Sequence, residues 1–127
     1  MKTELTKEQS QHLIDLGVPK EKASFQVLFE EDGPFDIWNE EILSRPIFAL
    51  TDLLGILPKE INSKCLNQYN EEITERLFFC IDYFGNKYSV GYRERVSEFR
   101  MHIKKNATEL IDSLYELCVW TIENKYL

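Results

Sequence analysis

The sequence predicts a single α+β domain, residues 1–127, in which a small antiparallel sheet of three to five strands carries a long C-terminal helix on one face and an N-terminal helix beside it. Three observations predict this class. A hairpin signal occupies residues 77–92, a helical pattern of apolar residues occupies residues 107–124, and no repeat or linker divides the chain. A length of 127 residues fits one domain of ordinary size.

The N-terminal region predicts a short helix over residues 6–16. Thr6 and Gln9 have the spacing of a capping box, in which the two side chains satisfy each other's backbone N–H groups. Gly17 then supplies a left-handed stop, and one more helical turn is expected over residues 19–23.

The middle of the chain predicts short elements. Residues 25–30 are typical of a strand and residues 31–34 of a turn, while residues 47–50 are a candidate second strand. Thr51 is expected to cap a short helix that ends near Gly55. The path of residues 31–50 is left open.

A β-hairpin is the clearest predicted element. Leu77–Phe84 and Lys87–Tyr92 flank Gly85 and Asn86, and glycine at the first turn position favours a type II′ turn. The two-residue loop fixes a register that places six apolar or aromatic residues on one face: Tyr83 opposite Tyr88, Ile81 opposite Val90, and Phe79 opposite Tyr92. The other face is mixed in polarity, so we expect part of it to be covered.

The C-terminal region predicts the main helix, over residues 107–124 with Asn106 as its cap. We expect this helix to lie across the apolar face of the sheet. Its apolar arc comprises Leu110, Ile111, Leu114, Leu117, Cys118 and Ile122.

The composition indicates a soluble cytoplasmic protein. The net charge is −7, which opposes binding to nucleic acid and to anionic membranes on average. No apolar run approaches the ~20 residues that a membrane helix needs. Three cysteines, an odd number without a secretion signal, favour free thiols in a reducing compartment.

Two long stretches, Leu50–Ile61 and Glu109–Leu127, are joined by two shorter ones at residues 5–9 and 16–24. Together they resemble a group of small uncharacterised proteins of gut Bacteroidales bacteria that is often associated with prophages or other mobile elements. The resemblance implies a bacterial or phage-encoded accessory protein. It assigns no catalytic residue, because no activity is known for the group.

The residue pattern indicates no metal, cofactor or catalytic centre. Cys65, Cys80 and Cys118 are far apart without a Cys-x-x-Cys pair, and His12 and His102 are isolated. Neither a nucleophile elbow nor a glycine-rich phosphate loop occurs. A small hydrolase or ligand-binding domain, with a site assembled from residues distant in sequence, remains one alternative.

Trp120 departs from the helical pattern, because it falls near Glu109 and Ser113, away from the apolar arc. Exposed tryptophan is enriched at interaction hot spots. The leading hypothesis is therefore a non-enzymatic interaction or accessory domain that binds another protein, or itself as a homodimer through the C-terminal helix. Its candidate interface is Trp120, Tyr115, Val119 and Glu116. The alternative is that the N-terminal helix or the chain end covers Trp120.

Residues 93–105 form the one basic segment, with five cations against two acids. A second hypothesis is a nucleic-acid-associated protein that contacts phosphates through this segment. Its candidate residues are Arg93, Arg95, Arg100, Lys104 and Lys105. The competing interpretation is a solvated connection, partly flexible, between the hairpin and the last helix.

Overall fold

The computed structural model describes residues 1–27, 45–66, 69–94 and 103–127. Within these ranges the α-helices are α1 (Lys7–Asp15), α2 (Leu50–Ile56) and α3 (Leu110–Glu123), and a 3₁₀ turn occupies Lys20–Lys22. The strands are β1 (Phe25–Val27), β2 (Arg45–Ile47), β3 (Glu60–Leu66), β4 (Glu72–Phe84), β5 (Lys87–Arg93) and β6 (Ile103–Ala107). The turn expected at residues 31–34 and the end of the strand expected at 25–30 lie outside the described residues.

The main sheet has four antiparallel strands in the order β3-β4-β5-β6, and β1 pairs with β2 in a separate two-stranded sheet. Helix α3 packs on β5 and β6, while α1 and α2 pack against α3. The predicted α+β class is therefore confirmed. No helix in the described ranges has the length and apolar character needed to cross a membrane.

The predicted hairpin register is confirmed: Tyr83 pairs with Tyr88, and Ile81 pairs with Val90. The predicted turn type is wrong. Gly85 and Asn86 both have positive φ, at 61° and 66°. Positive φ at both central positions defines a type I′ turn, whose twist suits the flanking strands.

Helix α1 forms as the sequence predicts. The Gln9 backbone N–H donates to Thr6 Oγ1 at 3.1 Å, and the Thr6 N–H donates to Gln9 Oε1 at 3.1 Å. Gly17 has φ 112°, a left-handed conformation that stops the helix.

Helix α2 begins one residue before the predicted cap, so the assignment of that role to Thr51 is wrong. Ala49 occupies the cap position, and its N–H donates to Asp52 Oδ2 at 2.8 Å. The same carboxylate accepts from the Ser24 backbone at 2.8 Å. The candidate strand at residues 47–50 is observed about two residues earlier, as β2.

Strands β3 and β6 were not predicted. β6 occupies part of the basic segment, so residues 103–107 are not a flexible connection. Asn106 lies in β6, where its Oδ1 accepts from Ser89 Oγ at 2.6 Å, and α3 begins only at Leu110. The predicted Asn106 cap is therefore wrong.

The core lies between α3 and the sheet. Four members of the predicted arc are fully buried, namely Ile111, Leu114, Leu117 and Cys118. Ser113 and Thr121 are also fully buried, and each hydroxyl donates to a carbonyl three residues earlier. The buried arc of α3 is therefore wider than its apolar residues indicate.

The N-terminal segment joins distant parts of the chain. The Leu5 N–H donates to the Phe48 carbonyl oxygen at 2.9 Å. The backbone N–H of Lys2 donates to Glu109 Oε2 at 3.1 Å, and its Nζ forms an ion pair with Asp112 at 3.1 Å. The first residues thus lie against both the centre of the chain and its last helix.

Candidate functional site

The β4–β5 hairpin extends beyond the neighbouring strand β3. β3 begins at Glu60, which pairs with Phe78. One further bond joins the Phe79 N–H to the Lys59 carbonyl oxygen at 2.9 Å. β4 continues to Phe84, and among the described strands its last residues pair with β5 alone.

This extension exposes backbone hydrogen-bonding groups. In an antiparallel ladder, alternate residues direct their N–H and C=O groups to opposite sides of the strand. The Phe79 N–H points towards β3, so the N–H and C=O groups of Ile81 and Tyr83 point to the same side of β4. Beyond Lys59 no described strand lies there to pair with them. Within the described residues, the end of β4 is therefore an open sheet edge.

The side chains at this edge are apolar and exposed. Ile81 is 40% exposed, Tyr83 is 61% exposed, and Phe84 on the opposite face is 88% exposed. The rings of Tyr83 and Tyr88 lie 4.7 Å apart between centroids. We name the surface formed by Ile81, Tyr83, Tyr88 and the open backbone of β4 the hairpin edge.

Helix α3 covers the inner half of the predicted apolar face. Val90 and Tyr92 are fully buried, and the Tyr92 hydroxyl donates to the Pro58 carbonyl oxygen at 2.8 Å. Ile81 and Tyr83 continue the same face past the helix. The expectation that the helix lies across this face thus holds for its inner half only.

The other face of the hairpin is mixed in polarity, and its charges nearly balance. Asp82 forms an ion pair with Arg93 at 3.6 Å. Partial burial raises the pKa of the Cys80 thiol, and the nearby Arg93 opposes this shift. The Cys80 Sγ lies 3.6 Å from the Gly91 carbonyl oxygen, within reach of a weak hydrogen bond.

The other two edges of the sheet carry polar residues. β6 has Lys104, Lys105 and Asn106, and β3 has Lys64, whose side chain is 78% exposed. Lysine on an edge strand discourages pairing with another chain. Among the side chains of the main sheet whose burial is described, the exposed aliphatic and aromatic ones at an edge belong to the hairpin edge.

The predicted interface on α3 is partly occupied within the chain. Trp120 is half-buried, and its ring stacks on Tyr126 with centroids 5.3 Å apart. The Tyr115 hydroxyl hydrogen bonds His12 Nδ1 of α1. Val119 packs against the core, whereas Glu116 is exposed. The homodimer through this helix stays a prediction.

Of the predicted nucleic-acid residues that the structure describes, Arg93 and Lys104 lie on one face of the sheet and Lys105 lies on the other. Arg93 pairs with Asp82. Lys104 and Lys105 are neighbours in β6, so their side chains leave opposite faces of the sheet. Arg95 and Arg100 lie outside the described residues. Nucleic-acid binding stays a prediction.

Ile81 and Tyr83 were predicted as members of a covered face and not as a binding site. One signal could have located them: the predicted hairpin continues to its turn with large apolar residues, including Phe84 next to Gly85. Locating the edge also requires the residue at which β3 begins, and β3 was not predicted from the sequence.

Comparison with protein-family models, with curated proteins and with solved structures finds no match for this chain. Function is therefore inferred from the geometry.

Proposed function

We propose that the protein is an interaction module that binds an extended segment of a partner protein as an additional strand at the hairpin edge. The observation that carries this proposal is the open backbone of Ile81 and Tyr83 beside their exposed side chains. Strand addition gains affinity from main-chain hydrogen bonds and specificity from alternate side chains.

The position of β3 supports a specific placement for such a strand. A bound strand would lie in line with β3, beyond Lys59, and would pair with β4 as β3 does. On the helix side it would lie against Ile81 and Tyr83, with Tyr88 supporting the Tyr83 ring. Tyrosine is enriched among residues that dominate binding energy.

The charge of Asp82 favours a different protein over a second copy of this chain. Two copies could pair their β4 edges in a symmetric antiparallel arrangement, with Ile81 of each copy opposite Tyr83 of the other. This arrangement would place the Asp82 residues of the two copies directly opposite each other. Like charges directly opposite each other destabilise a strand pair. The occupant we propose is therefore an uncharged or basic extended segment of another protein.

The edge is short, so the proposed complex is weak unless contacts outside it contribute. Ile81 and Tyr83 together offer two N–H and two C=O groups, each worth about 0.5–1.5 kcal/mol in a net hydrogen bond. Reversible binding suits the bacterial or phage-encoded accessory protein that the sequence resemblance implies.

The test is selection of binding peptides from a displayed random library, followed by affinity measurement on variants. Tyr83→Pro removes an N–H that points away from β5, so the hairpin ladder keeps its bonds. Ile81→Lys adds an edge charge. Phe84→Ser is the matched control, because it removes the most exposed aromatic side chain without touching the outward backbone.

We expect the selected peptides to bind Tyr83→Pro and Ile81→Lys at least about tenfold more weakly than the unmodified protein, a difference of about 1.4 kcal/mol in binding free energy. We expect them to keep their affinity on Phe84→Ser. Amide hydrogen exchange at Ile81 and Tyr83 should slow when a peptide binds. The proposal is contradicted if the selected peptides bind Tyr83→Pro as tightly as they bind the unmodified protein. It is also contradicted if the library yields no peptide that protects these amides.

A further inference from the structure

A concave site lies away from the hairpin. It is formed by the end of α1, by α2 and by the end of α3. It is a cavity of about 320 Å³. Its walls are mostly apolar and include Leu16, Val18, Ile56 and Ile122, with Leu127 at the chain end. Ligand cavities in proteins start at about 300 Å³, so this one has room for a small molecule.

Two glycines line the cavity. They are Gly17 and Gly55, and a Cβ added to either would have no neighbour within 4 Å. Gly17 is required for its left-handed φ of 112°. Gly55 lies inside α2 with an ordinary helical conformation, so backbone geometry does not require glycine there. The absent side chain at Gly55 leaves space in the cavity.

One charged side chain lines the cavity. It belongs to Lys22, at the end of the 3₁₀ turn, and no ion pair joins it to another described residue. An apolar cavity with a cation at its margin matches a ligand that has an apolar body and an anionic end.

We propose that this cavity binds a small aliphatic carboxylate, with the hydrocarbon tail among the apolar walls and the carboxylate against the Lys22 ammonium. The tail supplies most of the affinity by leaving water, and Lys22 sets the preference for an anion. The site is independent of the hairpin edge, so either proposal stands without the other.

The test is titration of the ¹⁵N-labelled protein with a series of straight-chain carboxylates, followed by amide chemical shifts. Shifts should centre on Gly17 and Gly55. Affinity should rise by about fourfold for each added methylene. The rise should stop once the cavity is full. An alkylammonium of the same length should bind more weakly than the carboxylate.

Two variants and one control separate this site from non-specific binding. Gly55→Leu should abolish the shifts at Gly17 while the protein stays folded by circular dichroism. Lys22→Gln should weaken carboxylate binding by about two- to fivefold, because the ion pair is exposed. Lys20→Gln, which changes a neighbouring lysine outside the cavity, should have no effect.

Three outcomes overturn the proposal. The first is that no shifts appear at Gly17 and Gly55. The second is that Gly55→Leu binds as the unmodified protein does, which would indicate adsorption elsewhere. The third is a preference for the alkylammonium, which would remove the role of Lys22.

Discussion

Gly91 of β5 lies directly against the backbone of Ile103 in β6. A Cβ on Gly91 would stand 1.7 Å from the Ile103 carbonyl oxygen and 2.8 Å from its carbonyl carbon. Gly91 is paired with Lys104 and is buried. The close approach of β6 therefore requires glycine at this position, although glycine in a strand interior usually weakens a sheet.

The first prediction is that Gly91→Ala destabilises the protein. The new methyl group meets backbone that cannot rotate away, so β6 must shift. Overpacking of this kind costs about 1–3 kcal/mol, and we expect the upper end of that range. Urea denaturation followed by circular dichroism measures the loss. An unchanged urea midpoint would show that β6 lies further from Gly91 than the structure places it.

The second prediction is that Gly55→Ala stabilises the protein. Gly55 is helical, and a Cβ there meets nothing within 4 Å. Alanine favours a helix over glycine by about 1 kcal/mol. The urea midpoint should rise without a change in the slope of the transition. A fall in stability would mean that the space beside Gly55 is filled.

The third prediction concerns the stacked pair Trp120 and Tyr126. Tyr126→Ala removes the ring that covers one face of Trp120, so the indole becomes more exposed to water. Its fluorescence emission should move to longer wavelength. The measurement is made in a Trp38→Phe background, because a second tryptophan would obscure the change. Tyr69→Ala, which removes an exposed tyrosine elsewhere, is the control and should leave the emission unchanged.

The fourth prediction is a loss of stability at alkaline pH. Burial raises the pKa of the Cys118 thiol from its ordinary 9.0 to about 12. An unfolded thiol releases its proton above about pH 8.5, while the folded protein keeps it. The unfolded state then binds fewer protons, so the free energy of unfolding falls as pH rises, by up to about 1.4 kcal/mol per pH unit.

Cys118→Ala should make this decline shallower above about pH 9. Tyr92 adds to the decline at higher pH, because burial also raises its pKa. Denaturant titrations between neutral pH and about pH 10.5 measure both slopes. The same slope with and without Cys118 would show that its thiol ionises normally in the folded protein.

Local signals in the sequence were enough to predict α1, the hairpin register and the buried arc of α3. The Thr6–Gln9 capping box and the two-residue loop of the hairpin each involve only residues close in sequence. The local sequence is therefore enough to determine these two structures. β3 and β6 could not be predicted in this way. Ile103–Ala107 contains two lysines and an asparagine, and it is a strand because β5 pairs with it.

The hairpin edge depends on a relationship that the sequence does not contain. The edge is exposed because β3 begins only at Glu60 and because α3 covers only the inner half of the face. Both are tertiary features. The pattern around Trp120 also did not predict its surroundings. Trp120 lies off the apolar arc, on the same side of the helix as Ser113. Because Ser113 is fully buried, its polarity did not indicate a face exposed to solvent.

The contacts of Lys2 with Glu109 and Asp112 have a consequence for the order of folding. They span 107 and 110 positions of sequence, whereas the hairpin closes over a two-residue loop. Local contacts form early, and loop-closure entropy delays distant ones. During synthesis the first residues must wait for α3 to leave the ribosome, so the nascent chain cannot complete its fold until its last helix has been made.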